Sequence, residues 1–502
     1  MAPPLHYYSS NPNLLPLLGV ALVTLYIVGT IFYRLFLHPL RKFPGPLLWR
    51  ISHIPRTYHL MKGDLPFILA EFREKYGKTI RITPGELAFH DPQAWKDIYG
   101  HRTGGAPDMP KYYGNYHTLS HIPMSIIDAP REEHALLRRQ LSHGFSEKSM
   151  REQGPIIQQY VDLLIQRIYE NGKNGSVALN MREWFNWTTF DIIGDLGFGS
   201  SFDCLKESAY HPWVSLINNS IIETAAFRAL INMGLRPLVD LASQLGLMTK
   251  NDEQTTLVRN KLQERMKLGY ERPDLIEGLL KKDNEWNMGL EKLTSNANIL
   301  IVAGSETTAT LLSGATYLLA ANPDKLAILT KEVRSTFSSE AEIDLMSVGK
   351  LRYMLACLDE SFRMYPPVAS DLSRMVPKGG AMIGGEHVAE GARVSTWQWS
   401  INRDPTLWKD PSKYVPERWL GDAAYKDDRL DAVQPFSYGP RNCIGRNLAY
   451  AEMRLIMAKI LYNFDMTIRE DSADWITGQK VYILWNKPPL NVYMTPVGTK
   501  SG

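Results

Sequence analysis

Cys443 sits in Phe436-Ser437-Tyr438-Gly439-Pro440-Arg441-Asn442-Cys443-Ile444-Gly445, a glycine- and proline-containing loop that runs straight into an apolar-periodic segment. Backbone amides at a helix start, with Arg441 close by, favour thiolate over thiol, and the thiolate is the form that ligates a metal. Glycines such as Gly439 permit close approach of backbone to a flat cofactor. A lone cysteine is more often a small core residue, and that reading is kept for Cys204 and Cys357. A second constellation, Ala303-Gly304-Ser305-Glu306-Thr307-Thr308, sets an acid beside an alcohol inside a long apolar helical pattern. Such a pair can manage protons, though alone it reads equally as an ordinary helix with one tolerated glycine. Glu360 and Arg363 are three apart on one helix face, which alone signifies a solvated ion pair of small energetic value. His134 and Arg138, four apart, likewise share a face.

Together these residues resemble the cytochrome P450 family. Phe436, Gly439, Arg441, Cys443 and Gly445 match every defined position of its cysteine-ligand signature, and Ala303 to Thr308 resembles its oxygen-activation motif. Glu360-Ser361-Phe362-Arg363 is similar to its Glu-x-x-Arg element, and Pro416-Glu417-Arg418-Trp419 to the later segment that sends an arginine back to it. The resemblance implies heme b (iron protoporphyrin IX), with Cys443 as axial thiolate on its iron, an electron-rich ligand that favours O–O cleavage. It implies Phe436 beside the haem and its sulfur ligand, and Arg441 on a haem propionate, where the guanidinium fork suits a carboxylate. Ala303 and Gly304 would open a kinked groove, Thr307 would hydrogen-bond dioxygen, and Glu306 would relay solvent protons. Glu360, Arg363 and Arg418 would form a buried structural network, not a catalytic one. His134 and Arg138 stand where the family commonly sets Trp and Arg against propionates, with His replacing Trp, and Arg374 resembles a further propionate-binding position.

The function so implied is a monooxygenase that hydroxylates or epoxidises a lipophilic small molecule. The His38-Pro39-Leu40-Arg41-Lys42-Phe43-Pro44-Gly45-Pro46 segment and the cysteine loop resemble microsomal members of filamentous fungi, many of which tailor terpenoid, polyketide or alkaloid secondary metabolites. Stretches expected to line the pocket lie between Gly104 and Ile127, from Ile299 to Ala303, from Val368 to Leu372 and at Leu484-Trp485, and their character is apolar and aromatic. No Gly-x-Gly-x-x-Gly follows a strand, so electrons come from a partner. The family expectation is a membrane-bound NADPH-cytochrome P450 reductase, with cytochrome b5 as an optional second donor, docking near Arg139, Lys148 and Arg446. A haem-thiolate isomerase or dehydratase working without reductase, and a non-catalytic haem sensor, share Cys443, but the intact Glu306-Thr307 pair argues against both.

Positioning these groups falls to a mainly helical domain. Helices are predicted from Asp128 and Pro130 through Leu141, from Leu293 to Ala321, from Leu351 to Met364, and from Ile444 to Tyr462, the last amphipathic through Leu448, Ala451, Leu455, Ile456 and Ile460. Strand signals are short: Ile80 to Ile82, Leu87 to Phe89, Arg393 to Ser395, and a hairpin from Val481 to Met494 turning near Asn486-Lys487. Strands do not alternate regularly with helices, which argues against a doubly wound parallel sheet. The expected organisation is an N-terminal membrane anchor over 1–37, a proline-rich hinge over 38–46, and one haem-thiolate catalytic domain over 47–502.

The anchor rests on an uncharged stretch, 14–33, long enough to cross a bilayer. A cleaved signal is the alternative, but no Lys or Arg precedes the run and it exceeds a usual signal core. Arg34, Arg41, Lys42 and Arg50 follow it, which sets the domain on the cytosolic side. With the family resemblance, this reads as a single-pass protein of the endoplasmic reticulum membrane. The 502 residues carry a net charge of +3 with interspersed signs, giving no basic face for nucleic acid.

Overall fold

In the computed structural model, described for residues 14–498 except 103–107, 118–121, 210–211, 246, 248, 270–271, 273 and 287, the longest element is the helix Gly289–Ala320. It begins earlier than its apolar pattern, at a glycine with φ of 72°, and stops before Pro323. Past Thr308 every residue through Leu319 is buried, so this central helix is the axis of the core. Against it pack the helices Met181–Phe198, Arg352–Met364 and Arg446–Asn463. The last two start one and two residues later than predicted, because Leu351 is extended and Cys443 to Gly445 remain loop. The helix Arg446–Asn463 is also not amphipathic throughout: beyond Met453 it is buried on nearly all sides, with Ala451 only partly covered. The helix predicted from Pro130 spans Arg131–Gly144.

The strands are β1 (Thr79–Thr83), β2 (Glu86–Phe89), β3 (Ala178–Asn180), β4 (Arg374–Met375), β5 (Ala381–Ile383), β6 (Glu386–Val388), β7 (Arg393–Thr396), β8 (Phe464–Ile468), β9 (Lys480–Val481), β10 (Trp485–Asn486) and β11 (Asn491–Pro496). They form a four-stranded sheet in the order β1-β2-β7-β4, a three-stranded sheet β3-β11-β8, and the pairs β5-β6 and β9-β10. The fold is thus mainly α with small sheets. The hairpin expected from Val481 to Met494 is two separate pairings instead. β10 folds back on β9 with Trp485 opposite Val481, while β11 joins β8 and β3. Pro488 and Pro489 lie between them and offer no N–H to carry one ladder across.

At the N-terminus, the helix Leu14–Phe32 continues through a π-helical turn, Tyr33–Leu37. Its stretch Leu15–Leu37 has 23 residues, none packed inside the protein, which at 1.5 Å per residue is roughly 34 Å, enough to span the ~30 Å bilayer core. The proline-rich segment after it is docked on the domain. Leu40 and Phe43 are buried, Arg81 N donates to Pro44 O at 2.7 Å, and a methyl on Gly45 would overlap the Arg81 carbonyl.

Candidate active site

The cysteine loop is shaped by its backbone. Ser437 and Gly439 both have positive φ, 61° and 74°, and the Cys443 N–H donates to Phe436 O at 2.8 Å, closing the loop beneath the sulfur. A methyl on Gly439 would overlap the Tyr99 carbonyl and lie 2.8 Å from its carbon, so the end of the helix Gln93–Tyr99 requires a glycine here. Phe436 packs against Phe362 and Tyr450, with ring centroids 5.0 and 5.3 Å away, which ties the loop to the helix Arg352–Met364 and to the helix that follows it.

The Cys443 side chain is accessible, yet crowded by protein. Burial pushes its thiol pKa up, opposed by the Gly445 N–H and by Arg138 and Arg446. Arg441, expected to favour the thiolate, is not among these groups. It donates to Ala129 O at 2.9 Å, while Arg138 reaches the loop, donating from Nη1 to Asn442 O at 2.7 Å and from Nη2 to Asn442 Oδ1 at 2.6 Å. Arg138 thus braces the cysteine loop through Asn442.

A group of cations gathers beside the loop. Arg374 and Arg441 each keep one buried Nη1 without a partner, and neither they nor Lys111 has a carboxylate ion pair among the described residues. Lys111 bridges to Arg374 through the backbone, lies over the Tyr116 ring and donates to Ile127 O. Burial, Arg374 and Arg441 hold its pKa well below the ordinary lysine value. His134, buried, has its pKa lowered to about 3 by burial and by Arg441, Arg138, Lys111 and Arg374. Unpaired buried guanidinium groups are costly, and a ligand with two carboxylates would neutralise this cluster. The donors therefore fit the two propionates that a haem would bring. Lys111 escaped sequence reasoning, since nothing in its surroundings marks a motif.

On the central helix, Ala303 is exposed and Thr307 partly so, giving this buried element one open stripe. Thr307 Oγ1 donates to Ala303 O at 2.6 Å and Ser305 Oγ to Ile301 O at 2.7 Å, and the helix runs unbroken through the expected groove. A methyl on Gly304 would come within 2.7 Å of Ile193 Cδ1, so the glycine lets this helix pack closely on the helix Met181–Phe198. Glu306 is buried and ion-paired to Lys487. The stretch from Val368 to Leu372 is less apolar than expected, because Asp371 is buried with Arg56 and Arg393 as ion partners and Asn115 as a hydrogen-bond donor. Part of the Gly104 to Ile127 stretch lies outside the described residues.

Glu360, Arg363 and Arg418 come together fully buried. Arg363 donates to both carboxylate oxygens at 2.9 and 2.7 Å, and Arg418 Nε to Oε1 at 3.2 Å. The Val415 N–H and Trp419 Nε1 complete the shell of Glu360, and Asp428 pairs with Arg418. Burial favours the neutral acid at Glu360, but Arg363, Arg418 and the Val415 N–H outweigh it and hold its pKa below the ordinary value.

Comparison with known proteins agrees with this geometry. The family profile described as cytochrome P450 matches residues 43–494. The chain is 48% identical over 487 residues to the cytochrome P450 monooxygenase tpeC of Talaromyces stipitatus, covering 96% of this chain and 95% of that protein. It is 45% identical over 478 residues to the trichothecene C-15 hydroxylase of Fusarium sporotrichioides, covering 94% and 96%, and 41% identical over 482 residues to the averantin hydroxylase of Dothistroma septosporum, covering 95% and 91%. A cysteine loop, a cationic cluster and an acid-alcohol helix on one core, matched from Phe43 to Met494, make this chain a member of the cytochrome P450 family of haem monooxygenases.

Proposed function

We propose that the protein hydroxylates or epoxidises a lipophilic secondary metabolite, with Cys443 as the axial ligand of heme b. The observation that carries this is the cation cluster beside the Cys443 loop, where the buried Nη1 atoms of Arg374 and Arg441 have no partner among the described residues. When bound, a thiolate-ligated haem supplies the cleavage of dioxygen and the insertion of one oxygen into substrate. Arg374, Arg441 and Lys111 hold the propionates, and His134, neutral, adds a donor. Arg138 positions the loop through Asn442 and lowers the cost of thiolate at Cys443. Phe436 excludes water from the sulfur side through its packing on Phe362 and Tyr450. Thr307, on the open stripe, orients the reactant oxygen, and its hydroxyl must release Ala303 O to donate there. Glu306 carries protons toward it from solvent.

Electrons come from an NADPH-cytochrome P450 reductase, with cytochrome b5 as a second donor. The exposed apolar helix would hold the protein as a single pass in the endoplasmic reticulum membrane, with the catalytic domain over 47–502 in the cytosol and the segment 38–46 as the connection. The relatives named for trichothecene and averantin hydroxylation support a polyketide or terpenoid substrate class.

The carbon monoxide difference spectrum of the reduced protein in membranes, beside Cys443→Ala, is the test. A strongly red-shifted Soret band lost in the variant is expected; haem with an unchanged spectrum in C443A would overturn the assignment. Comparing metabolites of cells with and without the gene then identifies the substrate.

A further inference from the structure

Adjacent helix residues point about 100° apart, so Glu306 and Thr307 face different surroundings. Thr307 shares the open stripe with Ala303, whereas Glu306 shares a buried stripe with Thr310, four residues on. Both members of that buried stripe are held by one cation from the far end of the chain. Lys487 Nζ donates to Glu306 and, at 2.6 Å, to Thr310 Oγ1. Lys487 follows β10 and is itself fixed, because its carbonyl accepts from Arg182 Nη1 at 2.6 Å. Beside the pair is a cavity of about 110 Å³ lined by Arg182, Asn186, Glu306, Tyr482, Trp485 and Lys487, room enough for several waters. Asn186 Oδ1 and Arg182 Nε, both buried, lack partners among the described residues.

We infer that Lys487 is a positioning residue that holds the Glu306 carboxylate toward this polar inlet, away from Thr307, and so controls when a proton is passed on. The inference rests on the reading of Glu306 as the proton relay. Monooxygenation takes up two protons and two electrons per dioxygen, one oxygen entering substrate and the other leaving as water. A hydronium in the inlet protonates the Glu306 carboxylate, which loses its charge and its hold on Lys487. The neutral acid turns, gives its proton to the Thr307 side, and returns as carboxylate to Lys487, whose own protons are unchanged. Removing the cation would strand a buried carboxylate, which then neutralises.

The test uses the full-chain holoenzyme in lipid nanodiscs with reductase and NADPH and no added substrate. The infrared difference between K487M and E306Q/K487M at neutral pH is expected to show a protonated-carboxyl band. The share of NADPH electrons recovered as hydrogen peroxide is expected to rise several-fold in K487M and to fall back in K487R, a rescue that loss of packing alone would not give. K487M matching wild type in both readouts, while E306Q raises peroxide, overturns the Lys487 assignment and leaves the relay standing. E306Q at the wild-type peroxide level overturns the relay itself. Should K487M not accumulate, K487Q carries the same two readouts.

Discussion

Arg138 grips Asn442 with two hydrogen bonds, 2.7 Å to its carbonyl and 2.6 Å to its side chain, one residue before Cys443. The helix Arg131–Gly144 thereby sets the height of the sulfur. Arg138 is half-buried, so its charged hydrogen bonds contribute at the lower end of their range, about 1.5 kcal/mol. R138A is expected to lower the haem-to-protein ratio and broaden the Soret band, whereas R138K, which keeps the charge but not the fork, recovers part of the loss. Haem titration by absorbance checks both.

The loop also depends on one glycine more than on another. At Gly439 a methyl would overlap the Tyr99 carbonyl, and its φ of 74° disfavours any side chain. At Gly445 the first atoms a methyl would meet are Phe145 Cε1 at 3.6 Å and Cys443 Sγ at 4.0 Å, ordinary contacts. G439A is therefore expected to abolish the carbon monoxide-binding species in expressed membranes, and G445A to retain most of it.

Local spacing made the cysteine loop, the Glu306-Thr307 pair and the Glu360-Arg363 pair legible in the sequence, because each lies within one loop or one helix turn. What spacing alone could not read is convergence, which for His134, Arg374 and Arg441 only the family resemblance supplied. Lys111, His134, Arg374 and Arg441 come from four separate segments, and Lys487 reaches Glu306 only because β10 folds back on β9. Asp371 sits in a stretch that reads as apolar, yet its carboxylate is satisfied by Arg56 from a helix near the N-terminus and by Arg393 from β7. The protein contacts that demand glycine at 304 and 439, Ile193 and the Tyr99 carbonyl, likewise come from distant segments.

Reductase docking is open to a charge test. Arg139 and Arg446 are exposed, and the Lys148 side chain is 88% exposed. Exposed charges of this type act chiefly on encounter and less on the final complex. Arg139→Glu, Lys148→Glu and Arg446→Glu together are expected to raise the reductase concentration needed for half-maximal NADPH oxidation several-fold at low salt, with the difference shrinking at high salt. An unchanged reductase titration would remove these residues from the docking face.

The Glu360 network predicts acid sensitivity. Its folded pKa lies below the ordinary value, so its contribution is complete above the unfolded carboxylate pKa and is lost as pH falls through the folded one. E360Q leaves Arg363 and Arg418 buried without their shared anion, a change that costs about 3–5 kcal/mol. Little folded haemoprotein is expected from it, measured as carbon monoxide-binding yield, and the partial product should lose the wild-type fall in melting temperature below pH 5.

Glu452 carries the opposite sign. It is buried on the helix Arg446–Asn463, and burial alone pushes its carboxyl pKa up to about 8. The folded chain keeps this proton between the ordinary glutamate value and about 8 while the unfolded chain releases it, so stability falls as pH rises through that window and levels off above it. At about 1.4 kcal/mol per unit, the accumulated loss at neutral pH is up to about 3 kcal/mol. Glu452→Gln keeps the shape of the neutral acid and removes the titration. Its melting temperature is expected to match wild type near pH 4.5 and to exceed it increasingly toward pH 8. A constant offset between the two proteins across that range would show that Glu452 is charged in the fold and paired with a group not yet identified.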